Sequence, residues 1–458
     1  MSDPTDTICA PATPPGRSGI AVIRLSGKLC LKIVSAIFFR KSRVTEPEHG
    51  KAAVGRLVDP QSNEEIDEAI VTFFKAPHSY TGEDMAEFSL HGNPALVGAL
   101  LDVLCRLGSR LAEPGEFTQR AFLHGRIDLA QAEAIRDIIE ARTLYQARLA
   151  GRQRDGAAAR ELRPLKEKLI ETIVHLESAV EFAEENLPVA SRDALAISLE
   201  EMIPRVGRWI QSYSLGRMLR EGIRLAVTGR PNVGKSSIFN ALLGQERSIV
   251  SDIPGTTRDM VTESIGIGGI PVYLQDTAGL RDGGDGIEKL GMERSRTAIA
   301  DADFVLFVID ASRELSEEDF RFKAQLNSST CAVVMNKSDL KPALTEKTKQ
   351  SFAEDRFYLD VSAKTGQGIE DLRGWIQRKI SDDLPAEGLI ITNLRHCQAL
   401  ERAEQHLRLG AEALKKGLSE EFALFDLRKG LDALGEITGE TQTEDLLDEI
   451  FSRFCVGK

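Results

Sequence analysis

Residues 222–243 read GIRLAVTGRPNVGKSSIFNALL, a short apolar run followed by a glycine-containing turn and a helix-forming segment. Within them, residues 229–236 (GRPNVGKS) fit the pattern GxxxxGK[ST] in its usual place between a strand and a helix. The glycines let backbone N–H groups turn toward a phosphate chain at the helix N-terminus. Lys235 adds positive charge at the β- and γ-phosphates, and the Ser236 hydroxyl is placed for Mg²⁺. The stretch predicts a nucleoside triphosphate site on an α/β domain.

Three signals downstream identify the nucleotide. Residues 276–279 (DTAG) close a strand, where the Asp can reach Mg²⁺ through water and the Gly N–H can sense a γ-phosphate. Residues 336–339 (NKSD) close another, and the Asp339 carboxylate can accept two N–H bonds from guanine, a donor pair that adenine lacks. Residues 362–364 (SAK) follow the next strand, where a backbone amide can meet guanine O6. The predicted GTP site consists of Asn232, Val233, Gly234, Lys235, Ser236, Ser237, Ser251, Thr256, Thr257, Asp276, Thr277, Ala278, Gly279, Asn336, Lys337, Asp339, Ser362, Ala363 and Lys364.

The hydrolysis machinery departs from the Ras pattern. Residues 251–259 (SDIPGTTRD) contain threonines that can close over the γ-phosphate and Mg²⁺ as a two-state switch. Ras-like GTPases orient water with a Gln directly after DTAG. Here that position is Leu280, whose side chain can neither donate nor accept a hydrogen bond. Another polar group must therefore orient the water, and a cation must balance the negative charge of the transition state. The nearby candidates, unless they are solvated loop charges, are Arg258, Arg281, Asp282, Asp285 and Glu288.

Changes in the spacing of apolar residues along the sequence predict the domain organisation. Residues 1–120 read as mixed α/β, and residues 121–217 place their apolar side chains at helical spacing. In residues 218–382, short apolar runs alternate with helical segments, which predicts a mainly parallel sheet with crossover helices. Residues 383–458 are helical again. Helical segments on both sides of an α/β unit favour one helical domain with the α/β domain inserted in it, and two separate helical domains are the alternative.

Periodicity predicts the individual elements. A helix is expected at residues 94–107, and a last helix opens at Thr443 and carries Phe451 and Phe454, which are expected in the core rather than stacked on bases. The strands are expected at residues 19–25, 69–74, 222–228, 272–276, 304–310, 331–336 and 357–361.

Composition excludes several classes. The chain has 458 residues and a formal net charge of −12, which argues against holding nucleic acid by net charge alone. The stretch from Arg136 to Lys168 is a local exception, because it contains nine basic and five acidic residues. These basic residues could contact RNA phosphates, or they could form a solvated helix face. No apolar run is long enough to span a bilayer, and the N-terminus does not resemble a signal peptide. Six scattered cysteines argue against disulfides or zinc, so a cytoplasmic location without membrane contact is expected.

Four blocks outside the GTPase motifs carry a family resemblance. They are residues 6–27 (DTICAPATPPGRSGIAVIRLSG), 79–92 (SYTGEDMAEFSLHG), 114–139 (PGEFTQRAFLHGRIDLAQAEAIRDII) and 450–458 (IFSRFCVGK). With the GTPase motifs, the chain resembles the MnmE (TrmE) family of tRNA-modification GTPases almost end to end. The resemblance implies an N-terminal α+β folate-binding domain that forms a homodimer, an all-α helical domain, and a Ras-like P-loop GTPase domain inserted in it.

The same resemblance implies a function. Together with an FAD-dependent MnmG-like subunit, in an expected heterotetramer, such proteins install an aminomethyl or carboxymethylaminomethyl group at C5 of the wobble uridine (U34) of tRNA. 5-Formyltetrahydrofolate or another tetrahydrofolate derivative supplies the one-carbon unit. The implied ligands are Asn232, Ser251, Ile253 and Thr256 for K⁺, Ser236 and Thr257 for Mg²⁺, and Arg24, Glu83, Arg126 and Lys458 for folate. Glu288 would orient the attacking water, and K⁺ would stimulate hydrolysis.

Some residues keep a simpler explanation. Arg24 and Glu83 could instead form a salt bridge at a domain surface. Cys455 could be a thiol near the folate or a small buried residue on the last helix. Two other functions also stay open, a ribosome-assembly or RNA-chaperone GTPase switch and a dimerising scaffold that uses GTP only for assembly. Against the former, the C-terminal segment is acidic and helical and contains no KH-like GXXG loop.

Overall fold

The structure is a computed structural model that describes residues 6–40, 48–181, 191–244, 262–276, 299–354, 356–381, 389–441 and 443–458. It divides into two compact units. Unit 1 consists of Met1–Arg136, Gly151–His175 and Leu427–Lys458, and unit 2 of Asp137–Ala150 and Leu176–Asp426. Within the described part, no helix is both long enough and apolar enough to cross a membrane.

A seven-stranded sheet organises the N-terminal part of unit 1. Its strands are β1 (Thr7–Pro11), β2 (Ser18–Ser26), β3 (Phe38–Arg40), β4 (Ala52–Val58), β5 (Glu65–Phe74), β6 (Met85–Gly92) and β7 (Ser109–Leu111), in the order β3-β4-β5-β6-β2-β1-β7. All neighbours are antiparallel except β1 and β7. The helices α1 (Cys30–Ile37) and α2 (Pro94–Arg106) supply apolar residues to the core that covers one face of this sheet.

Alternation along β5 explains why this strand is covered on only one face. Successive side chains point to opposite faces of a sheet. On β5, Ala69, Val71 and Phe73 are therefore buried, while Ile70 between them is 43% exposed. Ile70 pairs with the half-exposed Val54 on β4, so part of the open face is apolar.

Helices make up most of the remaining chain outside the second sheet. They are α3 (Glu116–Leu123), α4 (Leu129–Glu140), α5 (Leu144–Arg154), α6 (Ala157–Glu181), α7 (Arg192–Gln211), α8 (Tyr213–Glu221), α13 (Leu394–Lys415), α14 (Glu420–Thr438) and α15 (Glu444–Ser452). The expected last helix begins after Thr443, as predicted. Phe451 and Phe454 are buried against Leu129 and Ala132 of α4, which confirms their assignment to the core.

Unit 2 contains a six-stranded α/β sheet. Its strands are β8 (Ile223–Thr228), β9 (Thr262–Ile267), β10 (Ile270–Asp276), β11 (Phe304–Asp310), β12 (Cys331–Asn336) and β13 (Phe357–Val361), in the order β13-β12-β11-β8-β10-β9. The helices α9 (Lys235–Leu243), α10 (Glu317–Ala324), α11 (Glu346–Ala353) and α12 (Ile369–Ser381) alternate with them. All pairs are parallel except β9 with β10, which confirms the mainly parallel sheet.

The packing of α7 against α13 confirms the insertion. α7 precedes the six-stranded sheet in the chain and α13 follows it, and the two helices form an extensive contact within unit 2. Two separate helical domains would not bring these segments together. The boundaries at residues 120, 217 and 382 stay predictions.

Candidate functional site

The glycine-containing loop after β8 forms a cradle in which two positions exclude side chains. Gly229 has φ 141°, and a Cβ there would lie 2.2 Å from the carbonyl oxygen of Val308. Gly234 has φ 96°, and a Cβ there would lie 2.2 Å from Nδ2 of Asn336. Residues with a side chain rarely adopt such φ values. The loop therefore approaches the neighbouring strand ends more closely than any other residue type would allow.

The helix α9 begins directly after this loop, at Lys235. Gly234 occupies its N-cap position, so no described side chain caps the first turn. The direction of the N–H groups in a first helical turn and the helix dipole favour an anion at this point. Nζ of Lys235 donates to the carbonyl oxygens of Gly229 and Arg230, both at 2.8 Å, which holds its positive charge over the loop. The cradle fits the phosphates of a nucleotide.

Asn336 connects the phosphate loop with the base-recognition segments. It ends β12, is 2% exposed, and its Nδ2 donates to the carbonyl oxygen of Val233 at 2.9 Å. Its Oδ1 accepts from the N–H of Ala363 at 3.2 Å. Asp339 accepts a hydrogen bond of 2.7 Å from Ser362, which orients one carboxylate oxygen. The NKSD and SAK segments thus adjoin the glycine loop, and Lys364 is exposed beside them.

Asp310 is a residue that the sequence reasoning missed. It ends β11 and is 3% exposed, and it accepts a 2.7 Å hydrogen bond from Nζ of Lys337. The same Nζ donates to the carbonyl oxygen of Asn232 at 2.9 Å. Burial alone would raise the pKa of Asp310, but the hydrogen bonds from Lys337 and Ser312 outweigh it, and the pKa is lowered. The available signal was its position at the carboxyl end of a parallel strand.

A second missed contact anchors the glycine loop from outside. Nε of Arg230 donates to Oδ1 of Asp319 at 2.7 Å. Asp319 is fully buried at the start of α10, where it forms a capping box with Ser316. The loop is thereby tied to a helix N-terminus by an ion pair.

Part of the predicted hydrolysis site lies outside the described residues. These positions are Ser251, Ile253, Thr256, Thr257, Arg258, Thr277, Ala278, Gly279, Leu280, Arg281, Asp282, Asp285 and Glu288. Asp276 ends β10 and pairs with Val227 of the parallel strand β8. Its backbone therefore lies at the carboxyl ends of the strands, where the glycine loop begins. Ser236 and Ser237 are exposed on the first turn of α9.

The positions implied for folate come together in unit 1. Arg24 on β2 donates to Oε1 of Glu87 at 2.9 Å and to the carbonyl oxygen of Gly457 at 3.1 Å. Its guanidinium lies 5.6 Å from the ring centroid of Tyr80. Burial, and then the positive charge of Arg24, lower the pKa of Lys458. The C-terminal residues are therefore next to Arg24.

Glu83 lies in the loop after β5 and Arg126 lies between α3 and α4, and both border the same region. Oε2 of Glu83 accepts a 2.8 Å hydrogen bond from Ser26, which lies two residues beyond Arg24 on β2. Nη1 of Arg120 lies 3.2 Å from Oε2 of Glu83. Arg126 is exposed, and its Cγ lies 3.4 Å from the point where a Cβ of Gly82 would stand.

Arg24 and Glu83 therefore form ion pairs with other residues and not with each other. Sequence reasoning missed Ser26, Tyr80 and Arg120, although all three lie within the quoted blocks. Their roles depend on contacts between distant segments, which spacing does not reveal.

Cys455 is exposed and follows the end of α15. Its carbonyl oxygen accepts from the N–H of Gly115 at 3.3 Å, which fixes the C-terminal segment beside α3. The alternative of a small buried residue on the last helix is wrong. A chemical role for its thiol stays a prediction.

Three basic side chains of the stretch from residue 136 to 168 form ion pairs with nearby carboxylates. Arg163 pairs with Glu167 at 2.8 Å, Arg154 with Asp155 at 2.8 Å, and Lys166 with Glu440. Such exposed pairs contribute little energy, but they lower the net field of the helices. Arg148 and Arg152 are exposed. Because two of these three partners are among the five acidic residues of the stretch, its basic excess is reduced only by Glu440, and both explanations stay open.

Comparisons with known proteins match nearly the whole chain. A family model described as "GTP-binding protein TrmE N-terminus" matches residues 7–126, and one described as "MnmE helical domain" matches residues 129–455. A protein named tRNA modification GTPase MnmE from Aquifex aeolicus is 44% identical over 454 residues, covering 99% of this chain and 100% of that protein. One of the same name from Thermoanaerobacter pseudethanolicus is 42% identical over 457 residues, covering 99% of both. The solved G domain of the T. maritima FeoB iron transporter aligns with 35% of this chain and 98% of its own at 24% identity, but its TM-score of 0.27 supports no argument.

Proposed function

The chain belongs to the MnmE family of tRNA modification GTPases, and on this premise we propose that it is the GTP-hydrolysing subunit of a complex that modifies C5 of the wobble uridine, U34, in tRNA. The product would carry an aminomethyl or carboxymethylaminomethyl group. A tetrahydrofolate derivative would supply the carbon, and an FAD-dependent MnmG-like partner would take part in the transfer.

The observation that carries this proposal is the cluster of Arg24, Glu83 and Lys458. A GTP-dependent switch or scaffold needs no such site. The Glu83 carboxylate has the acceptor geometry for the paired N–H groups of a pterin edge, while Arg24 and Lys458 supply cations for carboxylates of a glutamate tail. The exposed Arg126 would add a further cation.

For GTP, the cradle of residues 229–236 would hold the phosphates and Asp339 would select guanine. Ser236 and Thr257 offer hydroxyl oxygens, which suit Mg²⁺ as a hard cation. Asn232, Ser251, Ile253 and Thr256 would provide amide, hydroxyl and carbonyl oxygens for K⁺, which when bound supplies the positive charge that an arginine supplies in other GTPases. Glu288 would hold the attacking water in line.

We also propose a homodimer as the working form, together with the MnmG-like subunit as a heterotetramer. The open sheet face of unit 1, which carries the exposed Phe39, Val54 and Ile70, supports an interface with a second copy. Since its tRNA substrate is cytoplasmic and all six cysteines are free, we place the protein in the cytoplasm.

Wobble-uridine analysis tests the function most directly. Mass spectrometry of tRNA from cells that lack this protein should show loss of the C5 modification, and a plasmid-borne copy should restore it. Lys235→Ala should fail to restore it because phosphate binding is lost. Unchanged wobble uridines together with accumulated ribosome precursors would instead support the assembly-factor alternative.

A binding measurement tests the folate site separately. The full-length chain should bind 5-formyltetrahydrofolate in calorimetry, and Glu83→Gln should weaken this binding without changing GTP affinity. No binding by the unaltered chain would refute the folate assignment. Equal GTP turnover in Na⁺ and K⁺ would likewise refute the K⁺ assignment.

A further inference from the structure

Arg120 is a buried cation at the centre of a charged cluster behind the proposed folate site. It lies on α3, is 2% exposed, and its Nη1 donates to the carbonyl oxygen of Asp6 at 2.7 Å. Its Nη2 donates to Oδ1 of Asp6 at 2.7 Å and to Oε1 of Glu116 at 2.8 Å. Both terminal nitrogens of this buried guanidinium are therefore paired, which offsets much of the cost of burying its charge, whereas its Nε has no hydrogen-bond partner among the described residues.

Arg110 completes the cluster from β7. It donates to both oxygens of Glu116, at 2.6 and 2.8 Å, and to Oδ2 of Asp6 at 2.6 Å. Both of these carboxylates are therefore held by two guanidinium groups. Glu83 differs, because among these cations it contacts only Arg120, at the longer distances of 3.2 and 3.3 Å.

The cluster joins two guanidinium groups to three carboxylates, so it carries one excess negative charge. Glu83 is the carboxylate that these cations compensate least, because its shortest contact with them, 3.2 Å, is longer than the 2.6 Å contacts of Asp6 and Glu116. The Glu83 side chain is 12% exposed, whereas that of Glu116 is 5% exposed. Glu83 is thus the least compensated of the three carboxylates and is partly accessible, although the Asp6 side chain, held by both guanidinium groups, is more exposed at 30%.

Ser26 fixes the same carboxylate from the other side. It is fully buried on β2, and its hydroxyl lies 2.8 Å from Oε2 of Glu83 and 2.7 Å from Oγ1 of Thr81. Two rigid partners on different elements restrict the carboxylate plane of Glu83. A carboxylate that meets two ligand donors benefits from such restriction, because less conformational freedom is lost on binding.

We propose that Arg120 and Ser26 are positioning residues, which hold the Glu83 carboxylate in the orientation that receives the pterin edge of the folate. This inference rests on the proposed folate function of the same site. Neither residue touches the ligand, so each acts only through Glu83.

A thermodynamic cycle on the full-length chain tests the proposal, with 5-formyltetrahydrofolate as the ligand in calorimetry. We expect Arg120→Lys and Ser26→Ala each to weaken binding about tenfold, because the coupling of contacting residues is of this order. In a chain that already carries Glu83→Gln, each change should alter the dissociation constant by less than about twofold. Binding of p-aminobenzoylglutamate, which lacks the pterin, should not respond to either change.

Arg110→Lys is the matched control, since Arg110 belongs to the cluster but makes no contact with Glu83. It should lower the melting temperature while changing folate affinity less than about twofold. If Arg120→Lys fails to fold, Ser26→Ala still provides the test because it removes no charge. Equal losses with and without Glu83→Gln, or a loss in Arg110→Lys as large as in Arg120→Lys, would overturn the inference. Absence of binding by the unaltered chain would instead refute the folate function itself.

Discussion

At the scale of single residues, Asp310 stabilises the guanine-recognition segment without belonging to any motif. It neutralises Lys337, which in turn holds the carbonyl oxygen of Asn232. Lys337 has φ 67°, an unusual conformation that its hydrogen bonds must maintain. We therefore expect Asp310→Asn to weaken GTP binding about tenfold, since a buried charge-assisted bond contributes roughly 1.5–3 kcal/mol.

Fluorescent GTP binding would measure the effect of Asp310→Asn. Glu314→Gln is the control, because it removes an exposed charge on the loop after the same strand. An affinity in Asp310→Asn equal to that of the control would show that Lys337 does not depend on this partner.

For the proposed folate site, we expect Lys458 to impose a characteristic pH dependence on binding. Its pKa is lowered below the ordinary 10.5 by burial and by Arg24. The ammonium attracts folate carboxylates only while it is protonated, so affinity should fall as the pH rises through this lowered pKa, before an ordinary lysine would titrate. Lys458→Arg should remove that decline, because a guanidinium stays charged.

Calorimetric titrations of 5-formyltetrahydrofolate between pH 7 and pH 10 would detect this decline. If the pH profiles of the unaltered chain and of Lys458→Arg coincide, the C-terminal ammonium does not contact the ligand.

At the scale of elements, the helix α10 offers two ion pairs that differ in burial. Asp319 is fully buried under Arg230, whereas Arg321 and Glu317 pair on the surface with side chains 77% and 91% exposed. Removing one partner of a buried pair costs about 3–5 kcal/mol, and an exposed pair contributes about 1 kcal/mol or less. Arg230 is itself 22% exposed, so we expect Arg230→Gln to cost somewhat less than the buried limit.

Arg230→Gln should also weaken GTP binding, because Arg230 belongs to the glycine loop. Chemical denaturation and nucleotide binding would be measured for Arg230→Gln and for the control Arg321→Gln. We expect Arg230→Gln to lower the free energy of unfolding more than Arg321→Gln does. Similar stabilities would mean that the Asp319 carboxylate finds another partner.

The elements themselves could largely be predicted from the sequence. The strands at residues 304–310, 331–336 and 357–361 match their predicted bounds. The first two are fully buried parallel strands, which form nearly continuous apolar runs between turns. β9 was missed: its sequence TESIGI contains polar and glycine residues, and an antiparallel edge strand needs only one apolar face. Sequence motifs likewise gave Asn336 and Asp339, but not Asp310, Asp319 or Arg120.

Motif residues could be predicted and the others could not, because different kinds of contact determine their positions. A motif residue meets the ligand through a backbone geometry that is local in the chain, so its spacing is visible. The ion pairs of Arg120 join residues 6, 83 and 116, whose proximity depends on how β1, the loop after β5 and α3 pack. The pair with Glu116 has the local i,i+4 spacing, but no local pattern reveals the contacts of Arg120 with residues 6 and 83.

At the scale of the whole molecule, an inserted domain requires its two connections to lie side by side. In unit 2 this happens where α8 meets the segment before α13. The hydroxyl of Ser212 accepts from the N–H of Ile391 at 3.0 Å. A Cβ at Gly216 would lie only 2.0 Å from the carbonyl oxygen of Ile391. The entering and leaving chains thus touch backbone to backbone at a position that requires glycine.

Gly216→Ala should therefore force these connections apart. An added methyl group that meets backbone cannot be absorbed by a rotamer change, so we expect a loss of about 1–3 kcal/mol in the free energy of unfolding. Gly98→Ala on α2 is the matched control: it adds the same methyl group to a helix with nothing within 4 Å, and it should stabilise by about 0.5–1 kcal/mol. Urea denaturation of both variants measures the difference. If Gly216→Ala were as stable as Gly98→Ala, the two connections would not be held in contact, and the insertion would rest on the packing of α7 against α13 alone.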